Sequence, residues 1–150
     1  MGWRACKVGT SSRPALNPLA FCAFALTGPL TSKYDTSTQY VEADFRGGFP
    51  RFSKPFMPLN MPIIEWLKGD AERKGATPSQ IALAWLLAKG PNIVPIPGTR
   101  REAHLMENLG SSNVQLTAAD VQEIETSLSQ FPVFGDRMGE VHMSQIDYSV

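Results

Sequence analysis

The sequence lacks several features that define whole classes of protein. Its 14 Lys and Arg balance 14 Asp and Glu, which excludes the broad basic surface of a nucleic-acid-binding domain. Its longest apolar run, around 19–26, is too short to cross a bilayer. Two cysteines, Cys6 and Cys22, are too few for a disulfide framework and fit a reducing, cytoplasmic location. The spacing of His, Cys, Asp and Glu predicts no metal site.

Acidic residues are also missing from the start of the chain, where none precedes Asp35. A basic beginning followed by the apolar stretch 18–26 is compatible with a secretory signal or a transit peptide. The alternative is an irregular N-terminus, residues 1–17, that leads into a buried strand. No small-x-small cleavage site follows the apolar run, which favours the second interpretation.

Regular periodicity is absent from residues 29–60, which are rich in Pro and Gly and are predicted to form a long loop. Within it, the stretch Arg46-Gly-Gly-Phe-Pro-Arg51-Phe mixes basic and aromatic residues. Such a stretch could contact a ligand, but the pattern favours a solvated turn.

Helical periodicity begins after residue 60. Pro62 is predicted to open a helix that buries one face and ends at Gly75. Thr77-Pro-Ser-Gln80 predicts a capping box for a second helix, 78–89. Thr117-Ala-Ala-Asp120 predicts the cap of a last amphipathic helix. The predicted buried positions of the three helices are Ile63, Ile64, Leu67 and Ala71; Ile81, Ala84, Trp85 and Ala88; and Val121, Ile124, Leu128 and Phe131.

Between the second and the last helix, the sequence predicts a strand, a turn and a short helix. Asn92-Ile-Val-Pro-Ile96 is a short apolar run between prolines, typical of a buried parallel strand. A turn at 97–99 leads into a helix over 101–109, closed by Gly110. Strands that alternate with helices indicate an α/β protein. Two strands alone would leave open apolar edges, so we expect oligomers or exposed apolar surface.

The turn before the short helix has the composition of an anion site. Unpaired amides at a helix N-terminus attract phosphate, and Gly98 allows a close backbone approach. The Thr99 hydroxyl can donate a hydrogen bond, and Arg100 and Arg101 supply charge-assisted ones. The alternative is a surface helix with two solvated arginines, and the pattern alone does not decide between the two.

Several spaced motifs closely resemble the C-terminal part of the aldo-keto reductases. They are Gly75-Ala-Thr-Pro-Ser-Gln-Ile-Ala-Leu-Ala-Trp-Leu-Leu-Ala88, Val94-Pro-Ile-Pro-Gly-Thr-Arg-Arg, Glu107-Asn-Leu-Gly110 and Val114-Gln-Leu-Thr-Ala-Ala-Asp120. Pro18-Leu19 and Leu26-Thr-Gly28 are similar to the family's Ser-Pro-Leu-Gly-x-Gly-x-Leu-Thr-Gly stretch. The resemblance spans roughly residues 18–130.

The resemblance implies a (β/α)8 TIM barrel, which needs about 250 residues. A chain of 150 residues is then a truncated, partial barrel: the last two strands with their helices and the C-terminal helix. Residues 18–131 would form this part and 132–150 an irregular tail. Another chain could cover the open barrel edges.

The resemblance also implies carbonyl reduction with NADP(H). The family's catalytic Asp, Tyr, Lys and His come from earlier strands, and none of their contexts occurs here. We therefore assign no catalytic residue, and Tyr34, Tyr40, Tyr148 and His142 have no matching surroundings.

The resemblance does imply that this chain contains part of the family's cofactor site, chiefly the adenosine 2′-phosphate pocket. Thr99 matches the hydroxyl beside the phosphate, and His104 stands where the family often has an Arg. The full set is Pro18 and Leu19 at the pyrophosphate, Gly98, Thr99, Arg100 and His104 around the phosphate, and Glu107 and Asn108 at the adenine. The expected function is that of an oxidoreductase fragment that holds this end of NADPH. The alternative is a non-catalytic remnant that binds a nucleotide or docks on a partner.

Overall fold

A computed structural model describes residues 35–41, 44–136 and 139 of the chain. Four α-helices lie within these residues: α1 Met57–Arg73, α2 Pro78–Ala88, α3 Glu102–Gly110 and α4 Ala118–Gln130. Short 3-10 helices span Phe45–Gly48, Pro50–Phe52 and Ser111–Asn113. None of the described helices has the length and apolar character that crossing a membrane requires. The strand predicted at 18–26 lies outside the described residues.

Helix α1 confirms the predicted apolar face but begins earlier than predicted. Ile63, Ile64, Leu67 and Ala71 are all buried. The prediction that Pro62 opens the helix is wrong, since Pro62 lies inside α1 on its exposed side. Pro62 is the sixth residue of α1, so its missing amide leaves the Pro58 carbonyl without the usual helical donor.

The end of α1 is a Schellman motif, as the glycine predicted. Gly75 has φ +61° and its amide bonds the Glu72 carbonyl at 3.2 Å. The Ala76 amide reaches back to the Ala71 carbonyl at 3.0 Å. Glycine adopts the left-handed conformation without the steric penalty that other residues incur.

Helix α2 is the centre of the packed core. Residues Ile81–Leu86 are all buried, so α2 is covered on every side. The predicted burial of Ile81, Ala84 and Trp85 is confirmed, whereas Ala88 is exposed because the helix emerges from its neighbours at its last turn. The predicted capping box is present: the Thr77 amide bonds Gln80 Oε1 at 3.0 Å, and the Gln80 amide bonds Thr77 Oγ1 at 3.2 Å.

Helix α4 packs its predicted apolar face against the same core. Ile124 and Leu128 are buried, and Val121 and Phe131 pack against them while half-buried. The buried cluster joins α1, α2 and α4 with Phe52 of the preceding segment. Its members are Phe52, Met57, Ile63, Ile64, Leu67, Ala71, Ile81, Ala82, Trp85, Leu86, Ile124 and Leu128.

The predicted strand Asn92–Ile96 is not formed: Asn92 lies in a turn, and residues 93–96 pair with no strand among the residues that the structure describes. The prediction of a buried strand is therefore wrong here, and Val94 and Ile96 are 78% and 80% exposed. A parallel strand buried on both faces needs a neighbouring strand on each edge and a covering layer. No described segment supplies them, so the partial barrel is not formed by these residues.

The described end of the predicted loop 29–60 is more ordered than expected. Met57 to Asn60 already belong to α1, and Phe52 is buried in the core. The Arg46 guanidinium bonds Asp44 at 2.8 Å and lowers the pKa of that carboxyl. A solvated turn was predicted for the whole stretch from Arg46 to Phe52. Only Gly47 and Gly48 of this stretch are exposed to solvent.

The chain after α4 is fastened to α1 by one buried amide. Asn60 is 1% exposed. Its Nδ2 donates to the Phe134 carbonyl at 3.0 Å and its Oδ1 accepts from the Phe134 amide at 2.9 Å. Gly135, at φ +80°, lies so close to Arg51 that an added Cβ would be 2.9 Å from the Arg51 nitrogen. Residues 133–135 are thus bound without forming a helix or a strand.

The N-terminal cap of α4 predicts a pH-dependent contribution to stability. Lys74 and the Thr117 amide lower the pKa of Asp120 to about 2, from 3.8 for an ordinary Asp. Ionised Asp120 therefore stabilises the fold above pH 3.8, and this contribution is lost as the pH falls towards 2. Urea unfolding should show wild type more stable than Asp120→Asn at pH 7, with a smaller difference at pH 3. An equal difference at both pH values would contradict this.

Candidate functional site

The turn that enters α3 presents its polar groups to solvent. Gly98, Thr99, Arg100 and Arg101 are all exposed. Thr99 Oγ1 accepts a hydrogen bond from the Arg101 amide at 3.2 Å, which fixes the turn. Arg101 is the N-cap residue and its side chain does not cap the helix. The first amides of α3 therefore lack a side-chain cap from the N-cap residue, which suits them to an anion.

Both arginines at this turn are without an ion pair among the described residues. Other cations of the fold are engaged: Arg73 pairs with Asp70 at 2.7 Å, and Lys74 with Asp120 at 2.7 Å. The one acid in the first turn of α3 is Glu102, whose side chain is also exposed. Two guanidinium groups that form no ion pair within the described part of the chain, beside a hydroxyl and a helix N-terminus, make a chemically suitable site for a phosphate.

The later residues of α3 face α2 instead. His104, Glu107 and Asn108 are half-buried. Glu107 Oε1 accepts a hydrogen bond from Thr77 Oγ1 at 2.7 Å, and Glu107 Oε2 lies 3.3 Å from His104 Nδ1. The Glu107 carbonyl accepts from the Gln80 side chain at 3.0 Å. The Glu107 carboxylate is thus occupied by groups of the protein itself.

Two of these contacts were not predicted from the sequence. Thr77 and Gln80 were recognised as the capping box of α2, but not as partners of Glu107. The sequence signal for the box is local, whereas Glu107 follows Thr77 by a whole helix and a linker. Only the packing of α3 beside α2 brings them together.

Comparison with known proteins decides what kind of chain this is. The sequence model of the aldo/keto reductase family matches residues 19–129. The chain belongs to this family. Membership of the aldo-keto reductase family explains the motifs from Gly75 to Asp120. The resemblance that was inferred from these motifs is confirmed.

Two curated relatives within the family show how much of it the chain spans. Aldo-keto reductase str7 of Strobilurus tenacellus is 34% identical over 120 residues, which are 80% of this chain and 36% of the relative. Aldo-keto reductase yakc [NADP(+)] of Schizosaccharomyces pombe is 39% identical over 110 residues, 73% of this chain and 32% of the relative. The chain spans about a third of the length of these aldo-keto reductases.

The structure divides the cofactor residues predicted from the aldo-keto reductase resemblance into three groups. Gly98, Thr99 and Arg100 lie together and exposed at the start of α3. His104, Glu107 and Asn108 lie on α3 itself and are half-buried, with His104 and Glu107 in contact with each other. Pro18 and Leu19 lie outside the described residues.

The tyrosine that the structure describes has a packing role. Tyr40 is half-buried, with its ring 6.2 Å from that of Phe52 and 5.7 Å from the Arg46 guanidinium carbon. Tyr34, Tyr148 and His142 lie outside the described residues. We assign no catalytic role to any of them.

Proposed function

We propose that this chain binds the adenosine 2′-phosphate end of NADP(H) as the C-terminal portion of an aldo-keto reductase barrel. The observation that carries the proposal is the pair of exposed guanidinium groups beside Thr99 at the N-terminus of α3, which form no ion pair with the described residues. The relative from Schizosaccharomyces pombe, named for NADP(+), supports this choice of cofactor. The proposal includes a reducing, cytoplasmic location.

The residues fit a phosphate by charge and by geometry. Arg100 and Arg101 supply positive charge and N–H donors in a fork that matches phosphate oxygens. Gly98 leaves open space, since nothing lies within 4 Å of a Cβ added there. Thr99 and the amides of the first turn of α3 would bond the remaining oxygens. Asn108 would meet the adenine edge.

The bound cofactor would supply the hydride that reduces a carbonyl to an alcohol. The residues assigned here bind and orient the adenosine end and do not touch the reacting carbon. The rest of the barrel, including the proton donor, would come from chain that the described residues do not provide. The proposed activity is therefore that of the assembled reductase.

Removing the guanidinium of Arg100 should selectively weaken binding of the phosphorylated nucleotide. Arg100→Ala is expected to bind 2′-phospho-AMP about ten- to a hundredfold more weakly, because a charge-assisted hydrogen bond is lost. AMP, which lacks that phosphate, should bind almost as before. Calorimetric titration of both ligands measures the difference.

The conservative variant is the control. Arg100→Lys keeps the charge without the fork and should bind 2′-phospho-AMP with intermediate affinity. Equal losses for AMP and 2′-phospho-AMP on Arg100→Ala would show that Arg100 does not contact the phosphate. Absence of 2′-phospho-AMP binding by the wild-type chain would overturn the proposal that this chain binds the adenosine 2′-phosphate end of NADP(H).

A second candidate function, docking on a partner without catalysis, is favoured by exposed apolar side chains. Val94 and Ile96 are 78% and 80% exposed, and Leu105, Met106 and Leu109 of α3 are exposed as well. Such side chains usually meet another surface. Binding of 2′-phospho-AMP by the pure chain would favour the cofactor-binding function over this second function.

A further inference from the structure

Helix α3 is held in place with little help from the hydrophobic core. It has nine residues and none of them is buried. Its apolar side chains Leu105, Met106 and Leu109 are exposed. A helix of this length is not stable alone in water. Its position must therefore depend on specific contacts, and the hydrogen bonds to α2 are the clearest of these.

Two side chains make these hydrogen bonds while also capping α2. Thr77 Oγ1 accepts from the Gln80 amide at 3.2 Å and donates to Glu107 Oε1 at 2.7 Å. Gln80 Oε1 accepts from the Thr77 amide at 3.0 Å, and Gln80 Nε2 donates to the Glu107 carbonyl at 3.0 Å. We call these three residues the Thr77–Gln80–Glu107 clamp.

The clamp caps the C-terminus of α3 and the N-terminus of α2. Glu107 lies in the last turn of α3, where carbonyls lack helical donors. The Ser111 amide, four residues after Glu107, donates instead to the carbonyls of Asn108 and Leu109. Gln80 therefore caps the C-terminus of α3 with one end of its amide and the N-terminus of α2 with the other. The Glu107 carboxylate also lies at the N-terminus of α2, where negative charge is favourable.

The close approach of the two helices is visible at Gly110. A Cβ added there would lie 2.6 Å from Gln80 Nε2. Gly110 therefore leaves the space that the Gln80 amide needs to reach the Glu107 carbonyl. A larger residue would have to displace this side chain.

We propose that the Thr77–Gln80–Glu107 clamp is a positioning device for the nucleotide site. By fixing α3 against α2, it sets where Arg100, His104 and Asn108 lie relative to the rest of the described fold. Thr77 and Gln80 would thus be positioning residues that touch no ligand. This inference rests on the proposed function for its effect on binding, but not for its effect on α3.

The other capping box provides a matched control. Thr117 caps α4 with the same chemistry: the Asp120 amide bonds Thr117 Oγ1 at 3.2 Å, and the Thr117 amide bonds Asp120 Oδ2 at 2.8 Å. The Thr117 hydroxyl bonds only within its own box among the described residues. Thr77→Val and Thr117→Val therefore remove equivalent caps, but only the first removes a contact with α3.

Hydrogen exchange of the amides of α3, measured without nucleotide, tests the clamp itself. Thr77→Val and Gln80→Met should each raise exchange in α3 about tenfold or more, because α3 opens when its hydrogen bonds to α2 are lost. Thr117→Val should leave α3 unchanged and raise exchange at the start of α4. Thr77→Ser keeps the hydroxyl and should restore exchange to that of wild type.

Calorimetry with 2′-phospho-AMP tests the positioning role. Gln80→Met should weaken binding about tenfold, and Thr117→Val should leave it unchanged. Unchanged exchange in α3 of Gln80→Met, or an equal effect from Thr117→Val, overturns the clamp. Raised exchange with unaltered affinity overturns its role in binding. If wild type binds no 2′-phospho-AMP, the proposed function fails while the exchange comparison still decides the clamp.

Gly110→Ala is the variant to use if Thr77→Val does not fold. The added methyl group displaces the Gln80 side-chain amide. It leaves both hydrogen bonds of the Thr77 hydroxyl, to the Gln80 backbone amide and to Glu107 Oε1, in place. Exchange in α3 should rise in this variant too, and exchange equal to that of wild type would contradict the clamp.

Discussion

Leu67→Ala is expected to lower the free energy of unfolding by about 2–5 kcal/mol, one of the two largest effects that the fold predicts. Leu67 lies on α1 with none of its surface exposed. Its truncation removes apolar contacts and leaves a cavity that the packed helices α2 and α4 fill only in part. Urea unfolding followed by circular dichroism measures the loss as a lower midpoint with an unchanged slope.

Leu59→Ala is the matched control for this measurement. Leu59 lies on the same helix but is 48% exposed, and both substitutions change helix propensity equally. Leu59→Ala should therefore cost less than about 1 kcal/mol, because exposed substitutions usually have small effects. Similar losses in the two variants would mean that α1 does not bury the face described here.

Asn60→Ala is expected to cost about 2–3 kcal/mol, because it removes the hydrogen bonds that buried Asn60 makes to partly buried backbone groups. Asn60 holds both polar groups of Phe134 and also donates to the Arg51 carbonyl at 3.3 Å. Without the amide, the segment 133–135 loses its attachment to α1. Urea unfolding gives the stability, and limited proteolysis after residue 130 reports the release of the segment.

Gly135→Ala approaches the same attachment from the other side. Its Cβ would lie 2.9 Å from backbone atoms of Pro50 and Arg51, at a φ of +80° that other residues rarely adopt. It should also release the segment to proteolysis, while a substitution at exposed Gln130 should not. Resistance to proteolysis in Asn60→Ala would contradict the attachment.

The helices were predictable because their signals are local. Periodicity identified the buried face of α1, and the capping boxes at Thr77 and Thr117 located the starts of α2 and α4. The start of α1 was missed because Pro62, the sixth residue of the helix, was interpreted as its first. A proline indicates where a helix can begin, not that none precedes it.

The strand at Asn92–Ile96 was beyond local prediction because a strand needs a partner. Its apolar residues and flanking prolines indicated a buried strand, whereas residues 93–96 form neither a helix nor a strand. Whether such a segment pairs depends on other strands, which the described residues do not supply. The exposure of Val94 and Ile96 follows from that missing partner.

The candidate site stays a prediction from the sequence, and the structure adds the contacts of its described residues. The residues from Gly98 to Asn108 were identified from the family resemblance, and the structure separates them into an exposed turn and a half-buried helix face. The contact of Glu107 with Thr77 was missed, as was that of Asn60 with Phe134. Both contacts join residues that are far apart in the sequence, and no periodic pattern of residues predicts them.

The burial of every residue from Ile81 to Leu86 in α2 has a consequence for how the chain tolerates mutation. In a saturation-mutagenesis library, α4 should alternate between permissive and restrictive positions with a helical repeat, since it buries only Ile124 and Leu128 deeply. The stretch Ile81–Leu86 should instead be restrictive at every position, because it has no face on which a polar side chain can reach water. Neutral drift in this part of the chain is then confined to exchanges among apolar residues of similar volume.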